Sequence, residues 1–242
     1  MLLECPACSS TSIKKNGHIH NGKQNHQCLA CGRQFVLDPQ QKIINEEKRS
    51  LIRQALLERV SLEGVCRIFN VSMPWLLQFI NEIIKELPGD LNATVTCADE
   101  LEVAFVELDE QWSYVKKKDN QQWLWLVFHS KTRQVLAMHV GKRTRQAAEC
   151  LLEKLPEGLK KKAIFYTDKF SVYYETIPWL QHRPVGKESG KTSYIERFNN
   201  TLRQRCSRLV RKTLSFSKKL ANHIGMLKYF ICDYNQRRAL HL

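Results

Sequence analysis

Residues 103–115 read Val-Ala-Phe-Val-Glu-Leu-Asp-Glu-Gln-Trp-Ser-Tyr-Val, and this stretch decides the fold class. Its β-branched and aromatic content predicts a strand over Val103–Val115. Two further strands are predicted at Gln122–His129 and Gln134–Val140. They are set off by a polar stretch containing Asp119-Asn120 and by Ser130-Lys131-Thr132-Arg133, so three successive antiparallel strands are expected. Downstream, Thr144–Leu155 reads as a helix, Ala163–Thr167 as a strand and Ser193 to about Arg211 as a long helix. The layout is α/β.

Three carboxylates stand out against this frame. Asp109 follows an apolar run on a core strand, where a charge is costly unless something pairs it. Asp168 closes the Ala163–Thr167 strand. Glu196 lies one turn into a helix with the apolar stripe Ile195, Phe198, Leu202, Cys206 and Leu209. On the neighbouring face Glu196, Asn199, Asn200 and Arg203 point the same way, at helical spacing. Taken singly, Asp109 or Glu110 reads as a solvated strand residue and Asp168 as a turn or cap. Glu196 alone closes a capping box Ser193-Tyr194-Ile195-Glu196. Taken together, two strand-borne aspartates followed by a helix-borne glutamate form a set of hard oxygen ligands able to hold two magnesium ions. Glu110 is the alternative ligand to Asp109, and strand alternation assigns the two to opposite faces.

Upstream, Glu46 to Leu87 has helical periodicity, stopped by Pro88-Gly89, and residues 88–100 read as a linker. Glu47–Arg59 carries Leu51, Ile52, Ala55 and Leu56 on one face. Ser61–Phe69 forms a second helix, and Asn70-Val71 turns the chain. Ser72 caps a third helix with Pro74 in its first turn and Leu76, Phe79, Ile80, Ile83 and Ile84 as its buried stripe. This is a helix-turn-helix pattern whose third helix would enter a DNA major groove. An ordinary three-helix packing unit is the alternative.

Nine cysteines are present, and four are paired by spacing as Cys5-Pro-Ala-Cys8 and Cys28-Leu-Ala-Cys31. Two such knuckles complete a tetrahedral four-thiolate zinc site, here structural, and His18, His20 and His26 are competing ligands. A polar segment of this size has too little apolar surface to fold by burial alone. Cys66, Cys97, Cys150, Cys206 and Cys232 are scattered and read as small buried hydrophobes. Expected domains are therefore a zinc ribbon over 1–40, a helix-turn-helix over 41–88 and a catalytic domain with basic C-terminal helices over 99–242.

The 242-residue chain has 38 Lys+Arg against 24 Asp+Glu, a formal charge of +14, which favours a polyanionic partner. From Arg197 to Arg238 it holds eleven Lys or Arg and one acid, Asp233. Arg197, Arg203, Arg205, Arg208, Arg211 and Lys212 are the expected contacts to the phosphate backbone; a solvated basic face is the alternative. No stretch has the length and apolarity of a membrane span, and Met1 to Cys5 does not open a signal peptide. A reducing, cytoplasmic setting among the bacterial nucleoid is expected.

Glu107–Ser113, Tyr166-Thr167-Asp168 with Tyr173, and Ile195-Glu196-Arg197-Phe198-Asn199-Asn200 resemble motifs of the insertion-sequence-one transposase family, a DDE transposase group. The ribbon and the helix-turn-helix resemble its N-terminal part, and Arg211–Lys219 its basic segment beyond the glutamate. The order of three strands, helix, strand and later helix resembles the RNase H-like fold. The resemblance implies that fold and a triad of Asp109, Asp168 and Glu196. It also implies Arg203 as the basic residue following the glutamate, magnesium-dependent cleavage and strand transfer, and double-stranded DNA partners, namely element ends and target. A homo-oligomer is expected. Competing readings are a DNA-binding regulator with an inactive catalytic-like domain, and a recombinase with a Tyr173 or Tyr174 nucleophile.

Overall fold

The computed structural model describes residues 3–19, 22–37, 44–94, 104–209 and 217–240. Contacts divide the chain into two compact units, Met1–Glu46 and Glu47–Leu242. The expected contacts Arg211 and Lys212, and Cys97, lie outside the described residues.

The first unit holds an antiparallel sheet of β1 (Ile13–His18), β2 (Gln24–Cys28) and β3 (Gln34–Val36). Its strands are short and mostly polar. Among the described residues, Cys5 and Cys28 are its only buried apolar side chains. Gly32, directly after Cys31, takes φ +74° and donates its N–H to Cys28 O at 3.0 Å, closing the second knuckle in a conformation that suits glycine.

The second unit opens with α1 (Glu46–Ala55), α2 (Leu62–Phe69) and α3 (Met73–Glu86). Ser61 accepts from Gly64 N and caps α2, Asn70 ends it in the left-handed region, and Ser72 accepts from Trp75 N and caps α3. Leu76, Phe79, Ile80 and Ile83 are buried as their spacing requires. In α1 the buried residue is Ile52, and Leu51 is 48% exposed. Leu57, beyond the end of α1, turns inward and joins the main core. Helix α3 packs on α2 and on α8 (Leu220–Ala239). Tyr229 donates its hydroxyl to Arg53 O at 3.0 Å.

The central sheet contains β4 (Phe105–Val115), β5 (Lys117–His129), β6 (Val135–Gly141), β7 (Ile164–Thr167) and β8 (His182–Pro184), in the order β6-β5-β4-β7-β8. The first three run antiparallel, while β7 and β8 are parallel to β4. This mixed sheet fits an RNase H-like domain. On one face Trp125, Val127 and Leu108 pack against α4 (Arg145–Glu153) and α6 (Ser171–Thr176). On the other, Leu124, Leu126 and Phe128 pack against α7 (Ser193–Arg205) and α8. Alternation along β5 thus supplies both cores.

Helix α7 stops at Arg205 instead of running to Arg211. Cys206 leaves the helix at φ −96°, ψ 102°, donates its N–H to Leu202 O, and a single 3-10 turn follows at Ser207–Leu209. Two short helices, α5 (Glu157–Lys162) and α6, and the three-residue edge strand β8 have no counterpart in the sequence reading.

Candidate active site

The β4–β7 register pairs Phe105 with Ile164 and Glu107 with Tyr166. Carried two residues further, it sets Asp109 level with Asp168, where β7 gives way to loop. Asp109 pairs across β5 with Leu126, so its side chain shares the face covered by α7. Its Oδ1 accepts the Glu110 N–H at 2.9 Å and its Oδ2 accepts from Asn199 Nδ2 at 2.6 Å. Burial, with the charges of Glu110 and Asp168 nearby, pushes the Asp109 carboxyl up to about 7. Asp168 is exposed, and its Oδ1 accepts the Phe170 N–H at 3.0 Å.

Glu196 is exposed in the first turn of α7. The alternative reading of Glu196 as closing a capping box from Ser193 does not hold: Thr192 is the N-cap, and its hydroxyl donates to Glu196 Oε1 at 3.1 Å. The start of α7 is capped instead from β4, 87 residues upstream. Glu107 Oε2 accepts the N–H of Tyr194 at 3.0 Å and of Ile195 at 2.8 Å, and its Oε1 accepts the Ser130 hydroxyl at 3.1 Å. Burial raises the Glu107 pKa despite these bonds. The sequence reading passed over Glu107. The available signal was its position two residues before Asp109, which puts a second carboxylate on the same core-facing side of a strand.

Glu110 faces the other way. It pairs with Trp125, accepts from Arg143 Nε at 2.8 Å and Nη2 at 2.5 Å, and accepts the Tyr173 hydroxyl at 2.7 Å. Arg143 in turn stacks over Phe170 and Trp123. Glu110 is therefore occupied below the sheet. Tyr173 is fully buried with its hydroxyl committed to Glu110, and desolvation followed by the Glu110 charge drives its pKa well above the ordinary value.

In the first unit Cys5, Cys8, Cys28 and Cys31 bring their sulfurs within 4.8 Å of one another. Two pairs, Cys5–Cys31 and Cys8–Cys28, stand at 3.6 Å. Zinc–thiolate bonds of about 2.3 Å give a tetrahedral S···S edge of roughly 3.8 Å, so the four sulfurs fit one ion. The thiols shift in opposite directions: backbone N–H groups of Cys31 and Ala30 help pull Cys28 down to about 6, while the neighbouring thiols and burial push Cys8 up to about 12. Among the described residues no other His, Cys, Asp or Glu set converges this closely. Asp109, Asp168 and Glu196 therefore form a wider set.

The expected phosphate contacts fall into two groups. Arg197 and Arg203 are exposed on α7. Arg205 is ion-paired with Glu58, Nη2 to Oε1 at 2.6 Å, and stacks on Phe230. Burial lowers the Arg208 pKa, and its Nη1 reaches Asn222 O at 3.5 Å.

No helix among the described residues is long and apolar enough to cross a membrane. The family model described as IS1 transposase matches residues 102–236, the part that carries the sheet, Asp109, Asp168 and Glu196. An iso-IS1n InsB protein of Shigella dysenteriae is 39% identical over 128 residues, covering 52% of this chain and 92% of the relative. The IS1 InsB protein of Shigella flexneri is 33% identical over 129 residues, covering 53% and 95%. An IS1 InsB protein of Escherichia coli K12 matches at 33% over 129 residues, covering 53% and 74%. The matched family model spans more than half of the sequence, and the chain belongs to the IS1 transposase family.

Proposed function

We propose that the chain is a DDE transposase that binds the ends of its mobile element and carries out metal-dependent DNA cleavage and strand transfer. The observation that carries this reading is the parallel β4–β7 register, which sets Asp109 level with Asp168 while α7, bearing Glu196, is hydrogen-bonded to Asp109 through Asn199. All three groups are hard oxygen donors. Asp109 is crowded by Glu110 and Asp168, and its hydrogen-bond partners carry no charge, so a divalent cation fits the site. In this reading the three carboxylates hold two magnesium ions, which in such sites stand roughly 3.5–4 Å apart.

Each carboxylate is oriented by the chain and keeps lone pairs free. Asp109 is steered by Asn199 and the Glu110 N–H, Asp168 by the Phe170 N–H, and Glu196 by the Thr192 hydroxyl. Magnesium, when bound, supplies Lewis-acid activation of water or a DNA 3′ hydroxyl and stabilises the leaving oxygen. Arg197 and Arg203, exposed on the same helix as Glu196, engage backbone phosphates beside the scissile bond.

In this reading residues 1–40 are a zinc ribbon with one structural zinc, and residues 41–88, which hold α1–α3, are a helix-turn-helix. Both contact the element ends, and the protein acts on DNA in the cytoplasm as a homo-oligomer. The test is incubation of purified protein with labelled DNA carrying the element's ends. Cleavage that needs magnesium, stops with chelator and leaves no protein–DNA adduct supports the proposal. A covalent adduct, or binding without cleavage, rejects it in favour of a recombinase or a regulator.

A further inference from the structure

Three hydrogen bonds tie α7 to β4 at two points, which bracket Glu196. On one side Glu107 holds the N–H groups of Tyr194 and Ile195; on the other Asn199 bonds Asp109. Glu107 and Asn199 are 1% and 3% exposed, so both attachments are made out of water, where hydrogen bonds define position best. The Thr192 side chain does not cap the helix, which leaves Glu107 as the side chain that fixes its start. We propose that Glu107 and Asn199 are positioning residues that clamp α7 to β4 at two points. They thereby set the reach of helix-borne Glu196 toward strand-borne Asp109 when the two share metal ions.

The clamp rests on the two-metal reading above, and the chemistry of Glu107 separates positioning from ligation. A glutamine at 107 can keep every bond: its carbonyl accepts the two α7 N–H groups, and its amide nitrogen donates to Ser130 Oγ. Charge is not required for that task, whereas a metal ligand needs it. The conservative variant Glu107→Gln is therefore expected to rescue what Glu107→Ala loses.

The experiment uses the full chain and two readouts: manganese binding to DNA-free protein, followed by the spin-resonance signal of free Mn2+, and magnesium-dependent cleavage of element ends. Outer residues that orient ligands typically change metal affinity by roughly 10- to 100-fold, and a loss in that range is expected for Glu107→Ala and for Asn199→Ala. Binding of element ends should be unchanged in both, and Glu107→Gln should stay within a few-fold of the unaltered protein. Asn199→Ala leaves the helix cap intact, so it keeps the test decisive if Glu107→Ala does not fold. The clamp is overturned if folded alanine variants bind manganese as the unaltered protein does, or if Glu107→Gln loses as much as Asp109→Asn. If the unaltered protein and Asp109→Asn bind manganese equally, the two-metal reading fails first and takes the clamp with it.

Discussion

His223 is buried on α8 with its Nε2 3.0 Å from Ser113 Oγ, and desolvation, helped by the Arg208 charge, pulls its pKa down to about 4. A base with a depressed folded-state pKa contributes stability above its unfolded value of about 6.5, and that contribution is lost as pH falls toward 4. The shift corresponds to at most about 3 kcal/mol. Comparing urea unfolding of the unaltered protein and His223→Gln from pH 7 to 4 isolates this group, because other titrating residues are shared. A shallower acid loss in the variant is expected; parallel curves would show that the imidazole stays accessible to protons. The same β4 face that holds Ser113 carries Glu107 and Asp109. This row of polar side chains is a poor match for a core strand and a good match for one that docks helices and ligands.

Among the elements, the docking of α3 on α8 turns on Gly225. A Cβ built there would come within 2.6–2.8 Å of three Ile84 side-chain carbons. Gly→Ala within a helix ordinarily gains about 1 kcal/mol, but overpacking of this kind costs about 1–3 kcal/mol, so the steric effect should win. Gly225→Ala is expected to lower the melting temperature, and a shortened residue 84 in Ile84→Val/Gly225→Ala should restore part of the loss. A rise in melting temperature for Gly225→Ala alone would contradict the close approach.

Long elements with strong periodicity were legible in the sequence: β4, β6 and α3 fall close to their predicted spans, with the buried stripe of α3 nearly as read. Strand β5 instead starts at Lys117, five residues before its predicted start, because the polar stretch around Asp119-Asn120 that was read as a connection is itself strand. Short elements were not. The strand β8 has three residues and ends at Pro184, too few for any alternation to register. The end of α7 was misread because Cys206 and Leu209 continue the apolar stripe beyond Arg205, where the backbone has already turned out of the helix. At the candidate site, Asp109, Asp168 and Glu196 were named from their combined strand, strand and helix setting, since each alone has a bland local reading. The cap from Glu107 joins residues 87 positions apart, and no local pattern encodes it.

At the scale of the whole molecule, the two units should respond to different reagents. The first has Cys5 and Cys28 as its only buried apolar side chains among the described residues, so a chelator that strips one zinc per chain should unfold it. Hydrogen exchange should then rise over 3–37 and stay low in β4 and β5; zinc-free protein with protection retained over 3–37 would refute the metal site. DNA affinity should fall with salt, each neutralised phosphate adding roughly 0.9 to the slope of log affinity against log salt. Replacing Arg197 and Arg203 by Gln should flatten the slope by about 2. Replacing Arg205, held by Glu58, should leave it unchanged.

The most direct measurement takes Asp109→Asn, Asp168→Asn and Glu196→Gln, each assayed on the same element-end DNA for binding and for magnesium-dependent cleavage and strand transfer. Amides keep the shape of these side chains and remove the charge that holds magnesium. End binding should stay within a few-fold of the unaltered protein while cleavage and strand transfer disappear in all three. Full activity in Glu196→Gln would make Glu196 no more than the partner of Thr192, and activity retained in all three would contradict the two-metal account.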